Sequence, residues 1–126
     1  MSYDWLTCKR GTRLMDDRLK RISAIFDEGK KNGTSTERLR TIVLGLFTDE
    51  IQKSEVRECV EKILPTLTPR QEHVIRLRFG LKEKKCHTFE EIGETYAVTR
   101  NRIRQICATA VLRICDPERF GRRSFP

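Results

Sequence analysis

Apolar residues recur along this chain at helical spacing, and nowhere does an alternation of apolar and polar residues persist as it would in a strand. Leu14, Leu19, Ile22, Ile25 and Phe26 are interleaved with Asp16, Asp17, Arg18, Lys20 and Arg21, which predicts an amphipathic helix over 12–27. The stretch from Gly29 through Gly33 to Ser35 breaks that pattern and is the best linker in the chain. Thr36 with Glu37 can open a second helix reaching Phe47, with Gly45 weakening its last turn. A third helix over 49–64 carries Ile51, Val56, Val60, Ile63 and Leu64, and Pro65 stops it.

The second half is punctuated more sharply. Thr68 is a good N-cap, and Pro69 at the first helical position gives up an amide that would have no partner there. The helix it opens carries Val74, Ile75, Leu77 and Phe79 and ends at Gly80. A charged turn, Lys82–Lys85, follows. Thr88 caps a short helix whose Glu90 and Glu91 sit in the first turn, where the helix dipole favours negative charge. Tyr96, Ala97 and Val98 make a turn, and Thr99 caps a longer helix. The expected fold is all-α, a small helical bundle with a C-terminal helix-turn-helix and no sheet.

In that last helix Ile103, Ile106, Ala110 and Ile114 form a stripe at spacings suited to burial, while Arg100, Asn101, Arg104 and Gln105 share another face near its start. Arginine, asparagine and glutamine are the side chains that hydrogen-bond base edges in the major groove. A recognition helix presents its N-terminal residues to bases while the helix before it crosses the backbone. Charge agrees with this placement. Of a net +8, residues 99–126 carry +5, from 7 basic and 2 acidic side chains. Such a local excess attracts a polyanion, because bound Lys and Arg release the counterions condensed on DNA.

Other chemistry is thinly represented. The five cysteines (8, 59, 86, 107 and 115) are odd in number and include no CxxC pair, so reduced thiols are expected, with core packing for Cys107 and Cys115. Cys86-His87 has no further ligands at metal spacing. His73 is expected on a helix surface. No glycine-rich phosphate loop, HExxH or GxSxG occurs, so no catalytic residue, metal or cofactor is expected and the chain does not read as an enzyme. The N-terminus lacks the pattern of a signal peptide, and the longest nearly apolar run, Ile42–Phe47, is too short to cross a bilayer. A soluble, cytoplasmic protein without a membrane partner is expected.

Four blocks in fixed order make the C-terminal half more specific: Leu67 to Glu72, Val74 to Leu81, Phe89 to Gly93 and Val98 to Ile106. Together they closely resemble region 4 of the sigma-70 family, over roughly residues 52–120. The resemblance implies partners: double-stranded promoter DNA and the core of bacterial RNA polymerase. It implies that Arg100, Asn101, Arg104 and Gln105 read the minus-35 element, and that Arg70, Arg78, Thr88, Phe89 and Glu90 hold the DNA backbone. Ile63, Leu67 and Ile75 fall where the family docks the polymerase beta flap, with plain core packing equally open for these three. Arg76 and Arg102 read as solvated charges.

Departures from the family pattern qualify those expectations. Asn101 stands where the family usually has Glu, so altered sequence preference is expected at one base pair: carboxylate accepts from cytosine, whereas Asn pairs with adenine. Thr109 and Leu112 replace positions that are usually basic and can meet activators. Ala97 stands where the turn often has Gly, and a non-Gly residue with positive φ costs about 1 kcal/mol. No counterpart of the segment that melts the minus-10 element is visible. The expected organisation is an N-terminal helical extension over 1–48, a region 4-like domain over 49–120 and a basic tail over 121–126. Three functions stay open: a promoter reader docked on polymerase, a protein-interaction module that redirects polymerase with little base readout, and a free-standing repressor or activator. A split sigma factor and a phage or mobile-element regulator both fit the first two. Residues 1–48 could complete the core, bind a second transcription factor or sigma subunit, or dimerise the chain.

Overall fold

The computed structural model describes residues 12–81 and 85–116, with side chains from Leu19 onward. The N-terminal segment 1–11, most of the expected charged turn (82–84) and the basic tail 121–126 lie outside the described residues, as do the Leu14 side chain and Cys8.

The described residues form six α-helices and no strand: α1 (Thr12–Lys31), α2 (Thr36–Glu50), α3 (Ser54–Ile63), α4 (Pro69–Phe79), α5 (Phe89–Tyr96) and α6 (Arg100–Cys115), with a 3-10 turn over Leu64–Thr66. The first helix continues through the expected linker. Gly29 is helical because it faces α2 at very close range: a Cβ there would lie 2.2 Å from Leu39 Cδ2. The reversal falls instead at Asn32 and Gly33, whose φ is +84°. Ser35 then caps α2, its hydroxyl accepting from the Arg38 amide at 3.3 Å. That helix outruns Phe47 because Ile51, fully buried, anchors its end, its amide donating to the Phe47 carbonyl at 2.9 Å. Consequently α3 starts at Ser54, one turn later than the spacing predicts.

One apolar core connects all six helices. Leu19, Ile22 and Phe26 of α1 and Leu39, Val43, Leu44 and Phe47 of α2 belong to it as fully as Val56, Val60 and Ile63 of α3 or Val74, Ile75 and Phe79 of α4. Phe47 meets Phe79 edge to face at 5.1 Å, which ties α2 to α4. The centre of the bundle is α6, packed by α1, α2, α4 and α5. Its expected stripe of Ile103, Ile106, Ala110 and Ile114 is buried, and so are Cys107, Ala108, Val111, Leu112, Arg113 and Cys115. The extra burial has a plain cause: α1 and α2 cover faces of α6 that a bare helix-turn-helix would leave open. Residues 19–51 therefore complete the core, and position 48 falls inside α2.

The thiols fit this packing. Cys59, Cys107 and Cys115 are buried, and loss of solvent pushes the Cys107 thiol up to about 12 and that of Cys115 upward as well. Arg113 is the charged residue in this core; its Nη1 donates to Gln71 Oε1, and burial lowers its pKa.

Because the core is shared, a cavity in α2 should weaken the helix-turn-helix too. Phe47→Ala is expected to cost about 3–5 kcal/mol, with urea unfolding remaining a single transition by circular dichroism. Two separated transitions would show that α1 and α2 fold apart from the rest.

Candidate nucleic-acid interface

The helix-turn-helix is built by local signals. The Thr88 hydroxyl accepts from the Glu91 amide at 3.1 Å, and Glu91 Oε1 accepts from the Thr88 amide at 2.9 Å, a reciprocal capping box that opens α5. Two turns later Ala97 takes the left-handed conformation, φ 58° and ψ 41°. The Val98 amide returns to the Gly93 carbonyl at 2.9 Å and the Ala97 amide to Glu94 at 3.3 Å, closing the helix end. Gly93 is required by this fold-back: a Cβ there would sit 2.7 Å from the Val98 carbonyl oxygen. Thr99 accepts from the Arg102 amide at 3.1 Å and starts α6.

The first turn of α6 projects outward. Arg100, Asn101 and Arg102 are exposed, while Ile103 is buried. Gln105 is half-buried, and its Oε1 accepts from Arg102 Nη1 at 3.3 Å, so Arg102 is engaged with one of the candidate base readers. Arg104 is half-buried and engaged. Its Nη2 donates to Glu37 Oε1 at 3.1 Å and to Asn101 Oδ1 at 3.2 Å. Glu37 belongs to α2 and also pairs with Arg40 at 3.6 Å. Nothing in the sequence pointed to Glu37 beyond a helix start, since 67 residues separate it from Arg104.

The candidate backbone-binding residues flank α5. The Arg70 guanidinium lies over the Tyr96 ring at 5.1 Å, and Tyr96 shares a hydrogen bond with His73 Nδ1. Arg78 lies over the Phe89 ring at 4.4 Å and donates to the His87 carbonyl at 3.2 Å. These two arginines thus sit at opposite ends of α5, on its last and first residues. Glu90 is exposed, and both the hydroxyl and the amide of Thr88 are engaged in the capping box.

Two expectations change. Ile63, Leu67 and Ile75 are 1%, 6% and 0% exposed, so they are core residues and offer no surface for docking. Arg76 is held rather than solvated, donating to Glu61 at 2.9 Å and to Glu72 at 3.0 Å. Burial disfavours its charge, but these carboxylates outweigh that and raise its pKa. Of the two residues that replace usually basic positions, Leu112 is buried and Thr109 stays exposed.

Among the described residues no group of three or more His, Cys, Asp or Glu could hold a metal ion. His87 instead folds back on the end of α4, its amide donating to the Leu77 carbonyl at 2.9 Å. No helix among the described residues is long and apolar enough to cross a membrane.

The turn geometry gives a direct stability test. Ala97→Gly relieves the left-handed strain at an exposed position and should stabilise the fold by about 0.5–1 kcal/mol, read as a rise in the urea midpoint. A fall in midpoint would mean that the turn is not strained.

Comparison with known proteins agrees with this geometry. The family model described as Sigma-70, region 4 matches residues 63–114. An RNA polymerase sigma factor SigA of Microcystis aeruginosa is 48% identical over 71 residues, 56% of this chain and 17% of that protein. The SigA of Synechocystis shows the same identity and coverage. That of Lactococcus lactis subsp. cremoris is 45% identical over 64 residues, 51% of this chain and 18% of its own length. The chain thus spans under a fifth of these curated relatives. No solved structure is significantly similar to it. Residues 63–114 of this chain form a sigma-70 region 4 domain, with its helix-turn-helix in α5 and α6.

Proposed function

We propose that this chain is a transcription-initiation module that docks on RNA polymerase core and reads a minus-35-like promoter element through α6. The observation that carries the reading is the division of α6: Arg100, Asn101 and Arg102 stand exposed on its first turn, while Ile103 and the helix beyond Ile106 are largely locked into the core. A rigid helix whose free end carries arginine and asparagine fits the major groove, and every good bidentate pair discriminates by about 1–3 kcal/mol. Arg70 and Arg78, braced on Tyr96 and Phe89, would set the register on phosphates without reading sequence. The printed role of the relatives, RNA polymerase sigma factor, supports polymerase as the partner.

The engagement of Arg104 by Glu37 favours a second reading, a module that binds polymerase and redirects it with little base readout. The two separate on Arg100. In binding to a labelled minus-35 duplex by fluorescence anisotropy, Arg100→Ala should weaken affinity by about 10-fold or more. Unchanged affinity, or unchanged promoter output with core polymerase bound, would favour the second reading. Co-purification with core polymerase distinguishes both from a free-standing regulator.

Asn101 sets a further expectation. Selection from a randomised duplex library should return adenine at the base pair facing Asn101, because an amide donates to N7 and accepts from N6. Recovery of the usual minus-35 sequence unchanged would contradict a base-reading role for this residue.

A further inference from the structure

Glu37 stands where a DNA phosphate would be welcome. Its carboxylate lies between two arginines, 3.1 Å from Arg104 Nη2 and 3.6 Å from Arg40 Nη1. Arginine binds carboxylate and phosphate through the same planar fork. The Arg104 fork is incomplete in this arrangement. Both hydrogens of Nη2 are directed at acceptors, one at Glu37 and one at Asn101, and Nε is buried without a hydrogen-bond partner. Recognition of guanine needs two adjacent donors of that fork. Asn101 is drawn into the same chain, since the Oδ1 that would accept from adenine accepts from Arg104 instead. Arg104 is thus held by a residue that α2 carries to the second turn of α6, and Asn101 is in turn held by Arg104.

We infer that Glu37 acts as an internal competitor of DNA: as a phosphate stand-in it withholds Arg104 from the promoter in a geometry that also engages Asn101, so that α2 restrains the free chain's binding and DNA must displace the carboxylate to be read. The inference rests on the proposed DNA reading. Both partners are substantially solvent-exposed, at 31% and 49%, so the restraint is a modest one, readily reversed by a polyanion. It also adds negative charge to the approach path of DNA, which slows association with a like-charged partner.

The test is anisotropy on the full-length chain with a labelled minus-35 duplex, comparing wild type, Glu37→Gln, Arg104→Ala and the double variant. Glu37→Gln keeps the shape of the side chain and removes its charge. It should tighten binding by about 3- to 5-fold, with the thermal midpoint little changed. On the Arg104→Ala background the same substitution should gain almost nothing. Equal or weaker binding of Glu37→Gln overturns the inference, since a purely structural pair would lower affinity when broken. An equal gain on both backgrounds also overturns it, because it would report general charge removal and not release of Arg104. Arg100→Ala in the same assay tells the two levels apart. If Arg100→Ala weakens binding and Glu37→Gln does not tighten it, the competitor fails alone; if Arg100→Ala changes nothing, the DNA reading falls and the competitor falls with it.

Discussion

The burial of α6 is the constraint on which the rest depends. From Ile106 to Cys115 every residue but Thr109 is buried, under α1, α2, α4 and α5. A helix so enclosed cannot tilt or slide without breaking its core, and close-packed interiors resist such strain. Thr109 aside, whatever α6 contacts must therefore be reached by its first two turns. The same burial fixes which side chains those turns offer: Ile103 inward, and Arg100, Asn101 and Arg102 outward. The proposed function rests on one end of a central helix being left uncovered.

The helix-turn-helix was legible in the sequence because its signals are local. Thr68, Thr88 and Thr99 cap the helices that spacing predicts, and Gly80 ends α4 in the left-handed conformation. The strained turn at Ala97 could be anticipated because a tight reversal between two helices demands positive φ whatever residue supplies it. The buried stripe of α6 also followed from periodicity, whereas its exposed start differs from the expected face: Arg102 stands out with Arg100 and Asn101, and Arg104 and Gln105 are half-buried.

What escaped the sequence was set by contacts between distant segments. Gly29 read as a linker because glycine weakens an isolated helix, yet here its missing side chain admits Leu39. Ala108 and Leu112 lay off the predicted stripe, yet both are buried in a helix packed by α1 and α2 as well as by α4 and α5. For Ile63, Leu67 and Ile75, apolar character could not separate core from docking surface; packing does. Glu37 is the strongest case, since a single acidic residue in a first helical turn looks like ordinary dipole complementation until the fold brings it to Arg104.

The central claim is that the free end of α6 enters the major groove, where guanine N7 lies open to methylation. Dimethyl sulfate footprinting of a promoter duplex bound by the full-length chain with core polymerase tests it most directly. The account predicts protection of guanine N7 within the minus-35 element, lost when Arg100 is replaced by alanine. Full reactivity of those guanines in a complex that remains bound would contradict it.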